Sequence, residues 1–294
     1  MRLLCPSCRS EVELDISCAE CGYRLRSIGG IVHAIAPQRR PYFEKFLCDY
    51  MKIRRAEGRG SNDPACYRAL PFEDLSGRNV EQWRMRATTY RYLESRLLPE
   101  SPIDILDLGA GNGWLSNRLA QRGHRPVAVD IFTDALDGLG AARHYGISFP
   151  LVEAEFDRLP FVGRQFDWAV FNCSLHYSVD YRHTLEEMLR CLRPQGQIVI
   201  LDSPIYRRRE HGERMREERH QQFEKMYGFR SDSIPSVEFL WDDLLQQLAC
   251  DLRIEWRVHR PWYGLRWHLR AWKAALKRQR PPSRFQILTG SPKR

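Results

Sequence analysis

From residue 103 onward the chain repeats one pattern. A short apolar run of strand length is followed by a stretch with helical spacing. The runs are "IDILDL" from Ile103, "PVAVDI" from Pro126, "FPLVEAE" from Phe149, "FDWAVF" from Phe166 and "QIVILD" from Gln197. Helical patterns at Trp114–Arg122, Asp134–Tyr145 and Tyr181–Leu192 separate them. Strands alternating with helices predict crossover units and a parallel sheet covered on both faces. Gly123 and Gly196 fall where helices are expected to end, as C-cap glycines do. The pattern defines an α/β fold with a doubly wound sheet, whose ligands belong at the carboxyl ends of the strands.

On either side the periodicity differs. Pro41 to Met51 reads as a helix with Tyr42, Phe43, Phe46, Leu47 and Tyr50 on one face. The next stretch, from Ala56 to Arg78, is rich in Gly, Asp and Pro and reads as an extended loop, a candidate lid. A helix then starts at Asn79, which stands in capping-box spacing with Gln82. Val80, Trp83, Ala87, Tyr90 and Leu97 form its apolar stripe. After Asp202, "IYRRREHGERMREERHQQFEKMYGF" predicts a helix laced with charge pairs, and Val237–Ala249 predicts another. "LRIEWRVH" and "RFQIL" read as the last two strands. Between them Leu265, Leu269, Trp272 and Leu276 share one helical stripe, expected to face the core. Arg266, Arg270, Lys273 and Lys277 occupy the adjoining stripe, which suits phosphates, lipid headgroups or water. The expected organisation is a segment 1–36, a helical and loop connector 37–100, and a domain 101–294 with insertions at about 204–235 and 260–282.

The cysteines single out the N-terminus. Of nine, four lie in "CPSCRSEVELDISCAECG" as Cys5, Cys8, Cys18 and Cys21, two C-x-x-C pairs nine residues apart. Each pair sits on a tight turn, and the intervening residues alternate as a hairpin that brings the turns together. Four thiolates close a tetrahedron around structural Zn²⁺ and leave no position open for catalysis. An odd total argues against a disulfide framework. The C-x-x-C-G turn, the strand after it and Gly30-Ile31 resemble a small zinc-ribbon family whose members activate or accompany methyltransferases.

The segment "ILDLGAGNGWLSNRLAQRGHRPVAVD", Ile105 to Asp130, carries the other candidate chemistry. Asp107 ends a strand. Gly109, Ala110, Gly111, Asn112 and Gly113 form a turn, and Trp114 begins a helix. Glycine serves where the backbone bends sharply or a ligand lies against it. Asp130 ends the next strand, where an acid accepts hydrogen bonds from ribose hydroxyls. A dinucleotide site would need G-x-G-x-x-G. Here Trp114 stands where the third glycine would permit close packing, and Asp107 would repel a pyrophosphate but suit a cationic amino group.

These residues resemble the first two motifs of class I S-adenosylmethionine-dependent methyltransferases. "VEAEFDRLPFVGRQFDWAVFNCSLHY" and "EEMLRCLRPQGQIVILD" resemble the motifs that follow, so the likeness runs in order from Ile103 to Asp202. It implies a mainly parallel seven-stranded sheet whose last two strands form an antiparallel hairpin. It implies that Asp107 and the Gly109–Gly113 loop hold the methionine moiety of S-adenosylmethionine. Asp130 would hold the ribose, Ile131 and Phe156 would lie against adenine, and Glu155 would meet the adenine amino group. Asn172 would stand beside the methyl donor. Trp83, Arg86 or Tyr90, on the helix leading into the first strand, would border the cofactor. His176 and Tyr177 follow the fourth strand at the active end of the sheet and are the candidate base or acceptor contacts.

Charge and composition narrow the function classes without fixing the acceptor. The formal charge is +9, and seven Lys or Arg with no acid lie between Arg260 and Arg280. No apolar run reaches membrane-spanning length, and a cytoplasmic protein is expected. The leading expectation is a methyltransferase for a small molecule: a natural product, a sugar derivative or a lipid. RNA held by the ribbon and the basic C-terminal region is the second. A non-catalytic zinc-ribbon adaptor that binds the cofactor is the third. Oligomeric state is not encoded in any pattern found.

Overall fold

The computed structural model describes residues 1–293. The N-terminal segment forms two small hairpins. Strands β1 (Leu3–Leu4) and β2 (Glu11–Val12) pair around the first cysteine turn. Strands β3 (Arg26–Ile28) and β4 (Ile31–His33) pair across Gly29-Gly30, both at positive φ. Three helices follow: α1 (Arg40–Ala56), α2 (Pro64–Ala69) and α3 (Val80–Arg96).

The alternating region then runs β5 (Asp104–Leu108), α4 (Trp114–Gln121), β6 (Arg125–Asp130), β7 (Leu151–Glu153), β8 (Phe166–Asn172), α5 (Tyr181–Cys191) and β9 (Leu192–Leu201). Short β10 (Ile205–Tyr206) leads to α6 (Arg209–Tyr227). Beyond it lie β11 (Leu240–Trp241), α7 (Asp242–Asp251), β12 (Ile254–His259), α8 (Leu265–Leu276) and β13 (Ile287–Pro292).

The central sheet has the order β12-β13-β9-β8-β5-β6-β7-β4-β3. Seven of these strands form the expected sheet, and β12–β13 is the expected antiparallel hairpin. The other two come from the N-terminal segment: β4 adds in parallel to β7, with Val32 opposite Val152. The ribbon is thus continuous with the sheet. Arg9 donates to the Leu159 carbonyl at 2.8 Å and to Glu187 at 2.7 Å, while Cys5 and Cys18 are buried in the same core cluster as Phe161 and Phe166. The fully buried Ile105, Leu106 and Leu108 of β5 face both layers of that core, and each such side chain contributes about 1.5–3 kcal/mol by leaving water.

Several local expectations change. The extended loop contains α2, which starts because Pro64 follows Asp63, whose carboxylate caps the Ala65 amide at 2.8 Å. Asn79 makes no side-chain cap for α3; its amide instead donates to the Glu57 carbonyl at 3.2 Å. The Asp134–Tyr145 region is only a 3₁₀ turn over Leu139–His144. Gly123 does end α4 at positive φ, but Gly196 lies inside β9, where a Cβ would come 2.9 Å from the Arg193 carbonyl oxygen. The largest change is at α8. Its Leu–Trp stripe does not enter the core, and no residue of that helix is fully buried.

Candidate active site

The carboxyl ends of β5, β6 and β8 meet at one cavity of about 230 Å³. The turn after β5 holds Gly109, Gly111 and Gly113 at positive φ, the left-handed region that favours glycine. A Cβ on Gly109 would sit 2.3 Å from Cβ of Ser174. Asp130 ties the loop to the next strand. Its Oδ2 accepts from the Gly111 amide at 2.8 Å and its Oδ1 from the Phe132 amide at 2.8 Å. Burial nonetheless pushes its carboxyl above the usual range, against those amide bonds.

Gly109, Gly111, Asp130, Ile131, Glu155, Phe156 and Tyr177 line this cavity together. Asp107, Ala110, Asn112, Gly113 and Asn172 do not line it. Asn112 lies behind the loop, where its Oδ1 accepts from the Trp114 amide at 3.3 Å. Glu155 is bound on one side by Arg39 at 2.7 Å, so it meets the cavity as half of an ion pair. Arg39, Tyr42, Phe43, Phe46 and Tyr50 close the cavity from α1 and the turn before it. The aromatic spacing of that helix is visible in sequence, but nothing there says which face of the sheet it covers.

Asp107 is fully buried. Ser116 donates to its Oδ2 at 2.7 Å, while its Oδ1 has no partner. Burial pushes its carboxyl up to about 7. The unfolded group titrates near 3.9, so the native state loses stability as pH rises from about 4 to 7 and stays level above that. Asp107→Asn removes the titration. It is expected to raise the melting temperature of the free protein at pH 8 but not at pH 4, with a ceiling of about 4 kcal/mol. The same variant is expected to weaken binding of a cationic ligand. Thermal melts across that range check the first part; equal gains at both pH values would contradict it.

A second cavity of about 560 Å³ adjoins the first and shares Phe46, Tyr50, Cys173 and Tyr177 with it. Five arginines face it: Arg54, Arg59, Arg86, Arg219 and Arg270. Arg54 pairs with Asp137, Arg59 with Glu57 and Arg219 with Glu238. Arg86 and Arg270 have no carboxylate partner among the described residues. Arg86 lies over the Trp83 ring at 4.6 Å, and Arg270 over Trp267 at 3.0 Å. Trp83 and Tyr90 themselves pack edge-on against Trp114, so of the three residues expected at the cofactor's border, Arg86 alone faces this second space.

His176 lies in the second cavity and not the first. It is buried, its Nδ1 has no partner, and burial together with Arg219 and Arg86 pushes its pKa down to about 3. The imidazole is therefore neutral at physiological pH, suited to hydrogen bonding and weak as a base. Asp202, at the end of β9, was not singled out by sequence, although it stands where Asp107 and Asp130 stand on their strands. It has φ of 49°, accepts from Thr89 Oγ1 at 2.6 Å, and leaves Oδ2 unpaired beside the arginines. Cys173, at φ 56°, is a second non-glycine residue in the left-handed region at a strand end. Such strain clusters at functional sites. The arginines come from four helices and the loop after the first of them, and no spacing in the sequence links them.

In the N-terminal segment Cys5, Cys8, Cys18 and Cys21 converge, with all four sulfurs within 4.8 Å of one another. Cys5 and Cys21, and Cys8 and Cys18, lie 3.5 Å apart. Thiolates around Zn²⁺ with bonds of about 2.3 Å would be spaced by roughly 3.8 Å, so the set fits that ion.

Known proteins resemble this chain over its alternating core. Residues 106–200 match the model of a methyltransferase domain family. A demethylmenaquinone methyltransferase of Clavibacter sepedonicus is 35% identical over 129 residues, 44% of this chain and 50% of that protein. A malonyl-[acyl-carrier protein] O-methyltransferase of Erwinia pyrifoliae is 28% identical over 128 residues, 42% of this chain and 48% of that protein. The chain spans about half the length of the curated relatives it matches. The fold is shared with the complex between the Haloferax volcanii Trm112 methyltransferase activator and a methyltransferase, with a TM-score of 0.51 at 19% identity, covering 73% of this chain and 96% of the matched chain. Residues 106–200 thus resemble a methyltransferase domain, within a fold shared with a solved methyltransferase complex.

Proposed function

We propose that the protein transfers the methyl group of S-adenosylmethionine to a small acidic acceptor held in the second cavity. The observation that carries this reading is the junction of the two cavities at Cys173 and Tyr177. The bound donor supplies an activated methyl group on a sulfonium, so the protein's part is alignment at near-attack distance. Asp130 would hold the adenosine end, the glycine turn would lie against the methionine moiety, and the unpaired Oδ1 of Asp107 suits the ammonium end. Tyr177 lines both spaces and would hold the acceptor's reacting atom toward the first cavity. His176 and Asp202 offer unpaired acceptors for an acceptor's hydroxyl or amine proton. Arg86 would take the acceptor's carboxylate or phosphate, because its charge has no protein partner. The relatives' names mention demethylmenaquinone and a malonyl-[acyl-carrier protein]. Both fit an acceptor class of small or lipid-like molecules.

We further propose a structural zinc ion at the four cysteines. It would stiffen the segment whose β4 completes the sheet edge.

Labelled S-adenosylmethionine, offered with a metabolite extract and separately with total RNA, tests the acceptor class. Label is expected in small molecules and retained by acidic fractions. Label entering RNA at low salt would replace this reading with the RNA one. Once an acceptor is found, Arg86→Gln is expected to raise its KM about ten- to a hundredfold with kcat little changed, the loss of one charge-assisted contact. A KM that stays constant would remove Arg86 from the acceptor site.

A further inference from the structure

Helix α8 carries its apolar residues on the wrong face for a core helix. Leu265, Leu269, Trp272 and Leu276 follow the i, i+4, i+7, i+11 spacing of one stripe, and they are 70%, 45%, 62% and 65% exposed. Trp262, just before the helix, is 62% exposed and stacks on His268 at 4.2 Å. The helix holds to the body by the opposite face. Trp267 packs against Phe285 at 5.2 Å, and Arg270 donates to the Ser283 carbonyl at 3.0 Å. Scattered exposed leucines are ordinary, but a contiguous ridge of leucine and tryptophan is not.

The charge beside this ridge is mainly positive; Glu218 of α6 shares the groove of Lys273, Lys277 and Arg278 but is paired with Arg280 at 2.6 Å. Arg266, Lys273, Lys277 and Arg278 are exposed next to it, and the sequence has no Asp or Glu after Glu255. An amphipathic helix with leucine and tryptophan on one face and a basic flank lies in the plane of a bilayer surface. Its apolar face sits at the acyl boundary and its cations among anionic headgroups. Among the described residues no helix is long and apolar enough to cross a membrane, so contact would be peripheral. The mainly basic flank disfavours a second copy of the same face.

We infer that α8 docks the protein on an anionic membrane surface. The inner face of the same helix supplies Trp267 and Arg270 to the second cavity. Docking therefore sets that cavity directly above the headgroups, where an amphiphilic acceptor with an acidic head would reach it. The docking itself does not depend on methyl transfer, and its test does not measure activity.

The full chain is mixed with vesicles of phosphatidylcholine alone and with vesicles of equal parts phosphatidylcholine and phosphatidylglycerol, then sedimented. Co-sedimentation is expected with the anionic vesicles, at least about tenfold stronger than with the zwitterionic ones, with a blue shift in tryptophan emission. Leu269→Glu with Trp272→Glu is expected to weaken it at least tenfold while leaving the melting temperature unchanged, because neither side chain supports the core. Lys273→Glu with Lys277→Glu is expected to remove the preference for anionic lipid. No co-sedimentation at low salt would overturn the inference, and so would binding indifferent to the first pair of substitutions. Concentration-dependent dimers abolished by that pair, without vesicle binding, would assign the face to a second copy instead. Retention on RNA but not on vesicles would assign it to nucleic acid.

Discussion

Chelating the metal proposed at the four cysteines is expected to unfold residues 1–36 and to loosen the cavity at the far side of the strand they cover. Metal binding free energy in small zinc domains is about 10 kcal/mol or more, comparable with the whole stability of a typical domain. The ribbon's own hydrogen bonding is sparse, because its strands are two or three residues long. Yet it reaches the site. β4 covers the edge of β7, Arg40 and His33 pair with Glu153, and Arg39 pairs with Glu155 at the cavity wall. Cys18→Ser or a strong chelator should therefore make the N-terminal segment sensitive to protease, lower the melting temperature, and weaken donor binding although no ribbon cysteine touches the cavity. Metal analysis should return one zinc per chain. A chain that carries no metal and melts identically with and without chelator would contradict the proposal.

Gly109→Ala is expected to have a large effect on donor binding for a single added methyl group. Its φ of 74° costs an alanine about 1–2 kcal/mol, and the new Cβ would lie 2.3 Å from Ser174, whose hydroxyl is itself fixed on the Leu108 carbonyl. The loop must move, and with it the Gly111 amide that holds Asp130. Donor affinity should fall at least tenfold, with a clear loss in melting temperature. Gly111→Ala is the control. It has a similar backbone angle, φ 56°, but nothing within 4 Å of its Cβ, so it should lose only the conformational part, roughly 1 kcal/mol. Equal effects from the two would show that steric approach at Gly109 is unimportant. Calorimetric titration with S-adenosylmethionine and thermal melts of both variants decide this.

The parallel core was legible because each strand is a compact apolar run ended by a turn residue, and because Asp107 and Asp130 occupy strand ends. The cysteine centre was legible because its ligands are local: two turns separated by nine residues carry all four. What was hidden depends on contacts between distant segments. Nothing near Val32 states that it will pair with Val152, so the two extra strands of the sheet could not be read. The second cavity takes its arginines from α1, α3, α6 and α8, and no periodicity connects Arg54, Arg86, Arg219 and Arg270. The stripe on α8 has the period of a core helix. Its exposure follows from Trp267 and Arg270 anchoring the other face, a choice made by Phe285 and the Ser283 carbonyl far along the chain. The placement of His176 likewise depended on α6 and Glu238 packing over it, which set it in the second cavity rather than the first and left it neutral.

The account rests on the glycine turn and Asp130 holding S-adenosylmethionine. Calorimetric titration of the purified full chain with that compound, beside Asp130→Ala, tests this directly. The wild-type chain is expected to bind one equivalent, and the variant to bind at least a hundredfold more weakly, the loss of a carboxylate hydrogen-bonded to two ribose hydroxyls. A wild-type chain that binds no S-adenosylmethionine, or a variant that binds it as well as the wild type, would contradict the account.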